Sequence, residues 1–151
     1  MMMGTHREDD TPTLVARALN NPVTLLIARI CVVAPFVAAG FGKLLDWQAG
    51  EAEMLHVGLH PAWFFNLAAL TTELGGSILI IFNWKTWLGA GALGVFTVLT
   101  TFLAHRFWMF PEPGRSMEFN SFLEHATISA AFIFVVVAGL QRRKGGMDHD
   151  R

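Results

Sequence analysis

Four long apolar segments alternate with short polar ones along the chain. They cover about Val23–Leu44, Ala62–Phe82, Thr86–Phe107 and Phe119–Leu140. A hydrocarbon core of about 30 Å requires about 20 residues of α-helix, and each segment is long enough. The pattern therefore predicts an all-α fold, an integral membrane antiparallel four-helix bundle.

The polar segments predict the limits of the membrane domain. Residues 1–21 form a polar N-terminal segment, residues 22–140 the membrane domain, and residues 141–151 a short basic tail. The first apolar segment carries Arg29 in its interior and is long enough to span a bilayer. We therefore interpret it as a retained helix and not as a cleaved signal peptide.

The distribution of Lys and Arg predicts the orientation, because cytoplasmic loops are enriched in these residues. An even number of spans places both termini on one side, and most cations outside the spans fall there: Arg7, Arg17, Lys85, Arg142, Arg143, Lys144 and Arg151. The other side holds Lys43, Arg106 and Arg115. Both termini are therefore predicted to be cytoplasmic.

Composition supports the membrane interpretation. The chain is 53% hydrophobic and only 15% charged, which is too little charge to cover a soluble domain. Its net charge is close to zero, which argues against a nucleic-acid partner. Cys31 is the single cysteine, so an internal disulfide, a CxxC redox motif and a cysteine zinc site are all excluded.

Small residues cluster in two of the predicted helices. The sequence GAGALG (Gly89–Gly94) opens the third helix, and Gly75, Gly76 and Ser77 lie in the second. Small residues allow membrane helices to approach closely, so we expect these two helices to pack tightly.

Ionisable residues inside the apolar segments are the candidate functional residues, because such groups usually face the bundle interior. Helix rise places Arg29 about 9 Å and Glu73 about 13 Å above the inner ends of their helices, so the sequence predicts that they pair. This pair is either a structural ion pair or a ligand anchor or step in a proton path. His105 is predicted to form a second, outer layer with Glu124 or His125.

Two features of the outer side have competing interpretations. His105 is either an interfacial residue beside Arg106 and Trp108 or half of a site. Glu53, His56 and His60 would share a face of a helix, as metal ligands do, but no further ligand is evident. We therefore predict no metal there and interpret the sequence MLHVGLHPAWFF as a short amphipathic stretch at the outer interface.

Several motifs together resemble the DoxX family. The first helix has Arg29 followed by Gly40-x-Gly42-Lys43, and the second has a Gly-Leu-x-Pro entry and then Glu73 with Gly75 and Gly76. The third ends in His-x-Phe-Trp, and the fourth contains NSFLEH (Asn120–His125), which is similar to the Asn-x-x-x-Phe-Leu-Lys-Asn of one branch of that family. Glu124 and His125 replace the Lys-Asn of one branch of the family. The resemblance covers about residues 22–140 and implies a four-helix protein of the bacterial inner membrane. The family's name comes from a small subunit of a thiosulfate:quinone oxidoreductase, and several members are associated with redox proteins.

These observations lead to two main functional hypotheses. In the first, the chain is a membrane subunit of a quinone-linked oxidoreductase. His105 and Glu124 would exchange protons with quinone, while Arg29, Glu73 and His125 would line the site. The sequence has no recognisable flavin, nucleotide or iron–sulfur motif, so a redox partner would supply the electrons.

In the second hypothesis, the chain is a non-catalytic scaffold or assembly subunit. Haem binding by His105 and His125 and a small transporter are further alternatives.

Overall fold

The computed structural model describes the backbone of residues 12–149 and the side chains of residues 12–139. This part of the chain is helical, without strands. The helices are α1 (Thr13–Asn20), α2 (Pro22–Leu45), α3 (Trp47–His56), α4 (Ala62–Ile81), α5 (Thr86–Ala104) and α6 (Gly114–His149), with a 3₁₀ turn at Phe107–Met109. Predictions on residues 1–11 lie outside the described residues.

The four predicted spans are confirmed as α2, α4, α5 and α6, each of which is long and apolar enough to cross a membrane. Asn21 begins α2: its side chain accepts a hydrogen bond from the Val23 N–H at 2.9 Å, and Pro22 follows at a position where no N–H is needed. The polar segment before α2 contains a helix, α1, that the sequence reasoning did not predict.

The third and fourth spans differ from the prediction at their outer ends. The third span leaves the α-helix at Ala104, and His105 is its C-cap rather than a helical residue. The fourth helix begins at Gly114, five residues before the predicted start, and its backbone stays helical to His149, through the predicted tail. The 3₁₀ turn packs against the beginning of α6, for example through Phe107 and Phe119, with ring centroids 5.1 Å apart.

Consecutive spans pack against one another in the order α2, α4, α5, α6. The buried apolar core lies where all four approach: Val33, Phe36, Ile80, Ala90, Leu93 and Phe132. Phe36 of α2 and Phe132 of α6 close the bundle, with ring centroids 5.6 Å apart.

The expected close approach of the small-residue segments is confirmed at Gly76 and Gly89. A Cβ atom at Gly89 would lie 2.7 Å from the Gly76 carbonyl oxygen, and one at Gly76 would lie 2.7 Å from Leu93 Cγ. The backbones of α4 and α5 can therefore approach only because these positions have no side chain. Gly75 and Gly91 have open space instead.

Helix α3 covers one end of the bundle, between the end of α2 and the start of α4, and we call this the α3 end. The Asp46 side chain accepts a hydrogen bond from the Ala49 N–H at 2.9 Å and begins the helix. Gly50 and Met54 face inward. Gly50 packs directly on Asn66 of α4, leaving no space there for a side chain. The helix lies earlier in the chain than the predicted amphipathic stretch.

Candidate functional site

A buried ionic group, which we call the lysine cluster, lies under α3 and consists of Lys43, Glu53 and Glu73. The Lys43 amine is 3.3 Å from Glu73 Oε1 and 3.3 Å from Glu53 Oε2. Lys43 is only 6% and Glu73 only 3% exposed. The Glu53 side chain is 60% exposed. One cation therefore connects a buried carboxylate with one at the surface.

The predicted pair of Arg29 and Glu73 is wrong, because Lys43 is the partner of Glu73. A Cβ at Gly40 would contact Glu73 Cβ at 3.5 Å, so Gly40 lies at the level of Glu73. Arg29 comes eleven residues earlier in α2, about 16 Å away along the helix axis. The prediction of this pair assumed that the inner ends of α2 and α4 lie at the same depth in the membrane. In the structure, the inner end of α2 extends about 15 Å beyond the inner end of α4.

A second group, which we call the histidine pair, consists of His105 and His125 at the α3 end of α5 and α6. Their ring centroids are 4.6 Å apart with the rings nearly perpendicular. Of the two partners predicted for His105, the structure brings His125 to it. The carboxylate at His105 is Glu118, with Oε2 2.9 Å from His105 Nδ1.

Hydrogen bonds fix which nitrogen of each ring is free. The Thr101 hydroxyl donates its single proton to the Thr97 carbonyl at 2.6 Å. Its 3.0 Å contact with His125 Nδ1 therefore has Nδ1–H as the donor. An ionised Glu118 likewise accepts from Nδ1–H of His105. In the neutral rings both Nε2 atoms are then proton acceptors, and neither has a hydrogen-bond partner among the described residues.

Glu124 lies apart from the histidine pair. It is exposed on α6 and borders a shallow groove together with Asn120, Leu123, Thr127 and Ile128. Adjacent helical residues point about 100° apart, which is why His125 faces α5 while Glu124 does not. Arg29 is half-buried in α2 and has no ion pair among the described residues.

An apolar groove of about 470 Å³ runs between α5 and α6. Its lining is almost entirely carbon and includes Gly91, Gly94, Val98, Ser129 and Phe132. Val98 of α5 and Ser129 of α6 line the groove. One helical turn from them, toward the α3 end, lie Thr101 and His125. The groove therefore leads from the apolar middle of the bundle toward the histidine pair.

The histidines near α3 do not form a comparable group. Glu53 is engaged by Lys43, whereas His56 ends α3 and His60 lies in the following bend. Within the described residues no group of three His, Cys, Asp or Glu could hold a metal ion.

Sequence reasoning missed Lys43, Glu53 and Glu118 as members of these groups. Glu118 had a usable sign, because it precedes His125 by seven residues and therefore lies on the same face of α6 two turns away. In the sequence, Lys43 was interpreted as a charge on the outer side and as part of the Gly-x-Gly-Lys motif, without a partner. Its sign was a lone lysine in the last turn of an apolar helix, where it can reach back toward an acidic residue.

Comparison with known proteins decides the family. The profile of the DoxX family, described simply as DoxX, matches residues 24–106. The chain belongs to the DoxX family. The matched region of this DoxX protein runs from α2 to Arg106, so it includes Lys43, Glu73 and His105 and ends before Glu118 and His125.

Two relatives from Escherichia coli (strain K12) support this assignment. Inner membrane protein YqjF is 32% identical over 117 residues, which cover 78% of this chain and 85% of that protein. Inner membrane protein YphA is 27% identical over 119 residues, which cover 79% of this chain and 85% of that protein. No solved structure gives a significant match. With its four spans, this DoxX protein is a multi-pass protein of the inner membrane.

Proposed function

We propose that this protein is a membrane subunit of a quinone-linked oxidoreductase, in which the histidine pair exchanges protons with a quinone. The observation that carries the proposal is that the histidine pair, with two free Nε2 atoms, lies about one helical turn beyond an apolar groove between two membrane spans. His105 and His125 are both half-buried, and each is held at Nδ1, so their rings are positioned before a ligand arrives.

The residues present fit a quinone. Binding sites for such ligands are mostly apolar with a few well-placed polar groups, and the groove with its neighbouring imidazoles has this character. When bound, a quinone takes up two electrons and two protons, and a partner protein supplies the electrons. His105 and His125 would hold or return a proton at Nε2, while Glu118 and Thr101 keep the rings oriented.

A haem held between the two histidines fits less well. Their rings touch at a centroid separation of 4.6 Å, so a macrocycle between them would require the rings to move apart. That movement would break the contacts with Glu118 and Thr101 that now hold the rings.

A polar strip on α6 supports the docking of a partner chain. Asn120, Glu124 and Thr127 are exposed on one side of α6, within a span that is apolar on average. Ionisable residues in membrane spans usually pair with other polar groups, so a partner helix with hydrogen-bond donors at this depth would satisfy them. This strip equally favours the second candidate, a non-catalytic scaffold subunit that binds a partner and no quinone.

The test is gentle purification with bound lipids and proteins, followed by quantification of extracted quinone per chain. We expect a stoichiometric quinone that is lost in His105→Ala and His125→Ala. His56→Ala, which removes an exposed histidine at the same end, is the matched control and should keep it. A stable partner without quinone in the wild type would leave the scaffold function. Unchanged quinone in both histidine variants would place its site elsewhere.

A further inference from the structure

We infer that the lysine cluster is a proton relay leading from the α3 surface to a carboxylate buried in the bundle. The inference is independent of the proposed quinone function, because it needs neither a quinone nor a partner. Its basis is that Lys43 contacts two carboxylates at equal distance, one in the interior and one at the surface.

The inner end of the relay has an open acceptor. Lys43 binds Glu73 at Oε1, and Glu73 Oε2 is completely buried without a hydrogen-bond partner among the described residues. Buried polar atoms are almost always hydrogen-bonded, so such an atom requires an explanation. A structural ion pair needs only one carboxylate oxygen and does not explain the second. A carboxylate that binds and releases a proton uses both oxygens.

The outer end is accessible to water. Glu53 lies on α3 with most of its side chain exposed, and Lys43 is its ion-pair partner. The charged groups close to Glu73 are Lys43 of α2 and Glu53 of α3. From α5, the side chain at the level of Glu73 is the buried Thr97, since Gly76 and Leu93 are in contact one turn further along.

The transfer is balanced without any co-reactant. Lys43 first donates a proton to Glu73: one N–H bond breaks and an O–H bond forms at Oε1, which leaves a neutral amine. Glu53, protonated from water, then gives its proton to the amine: its O–H bond breaks and a new N–H bond forms on Lys43. Lys43 ends as it began, one proton has moved inward, and no electrons are transferred. An ammonium group must give up a proton before it can accept one, because it has three donors and no acceptor.

Infrared spectroscopy of the full-length protein in lipid nanodiscs tests the relay. The C=O stretch of a protonated Glu73 is identified by its change in frequency in Glu73→Asp, and its exchange rate is followed after transfer to D₂O. We expect Glu53→Gln to slow this exchange about tenfold or more. Glu51→Gln makes the same chemical change two residues away on α3 and should leave the rate unchanged.

The variant Lys43→Arg distinguishes a role of Lys43 in proton transfer from a purely structural role. Arginine keeps the positive charge between the two carboxylates, but it does not give up a proton in proteins. We expect a folded protein whose Glu73 exchange is as slow as in Glu53→Gln. Equal exchange in wild type and Glu53→Gln would overturn the relay. So would the absence of a protonated Glu73 band at every pH at which the protein stays folded, which would make the cluster a structural ion pair.

Discussion

Lys43 shows how one side chain can hold three helices together in the membrane. It extends from α2 to a carboxylate on α3 and another on α4. Taking an ionised group out of water is costly, and only a well-placed opposite charge compensates for it. For the buried pair of Lys43 and Glu73, each charge compensates for the burial of the other, so both residues are needed.

Replacing Lys43 with Met should therefore strongly destabilise the protein. The substitution leaves Glu73 buried without its cation, and loss of one partner of a buried pair costs about 3–5 kcal/mol. The free energy of unfolding can be measured by denaturant titration in detergent, followed by circular dichroism. Lys85→Met is the control, because Lys85 is exposed in the turn between α4 and α5. Equal stability of the two variants would contradict a stabilising role of the pair.

The residue scale is where sequence reasoning succeeded least. Residue type indicated that Glu73, His105 and His125 are candidates, since ionisable groups in apolar helices seldom face lipid. Pairing depends on the relative heights of helices, and sequence contains this information only indirectly. An error of about 15 Å in the register of α2 and α4 was enough to exchange Lys43 for Arg29 as the partner of Glu73.

At the level of elements, the contact between α4 and α5 depends on two glycines. Gly76 and Gly89 face each other so closely that a methyl group on one would collide with the backbone or side chains of the opposite helix. Gly91 is on the same helix as Gly89 but faces open space. The two positions provide a matched pair for testing helix packing.

Gly89→Ala should destabilise the protein, and Gly91→Ala should not. The added Cβ at position 89 would lie 2.7 Å from a backbone oxygen that cannot move alone, and overpacking of this kind costs about 1–3 kcal/mol. At position 91 the higher helix propensity of alanine acts without a collision. Unfolding in detergent checks both variants. A similar loss of stability at both positions would show that the close approach is unimportant.

The elements were largely predictable because a bilayer sets a minimum length for apolar helices. The first two spans begin and end within one residue of the predicted limits. The third and fourth differ where chain and membrane interface meet, because aromatic residues there form a 3₁₀ turn that packs on α6. Helix α1 was missed because it has only eight residues and does not span the bilayer, so no minimum length indicates it.

For the whole molecule, orientation in the membrane is still a prediction. The excess of Lys and Arg beside the termini places both in the cytoplasm. A green fluorescent protein fused to the C-terminus should therefore fluoresce, and alkaline phosphatase fused after Leu59 should be active. Phosphatase activity of a fusion at the C-terminus would reverse the assignment, and the α3 end would then face the cytoplasm.

The order in which the spans pack has a consequence for how the protein is made. Each of the last three spans packs mainly on the one inserted before it, so contacts can form pairwise while synthesis continues. The contact of Phe36 with Phe132 is the exception, since it joins the first span to the last. Until α6 is inserted, the inward face of α2 at Phe36 lacks this partner. A general membrane chaperone or a partner subunit could therefore bind the nascent chain at this exposed face of α2.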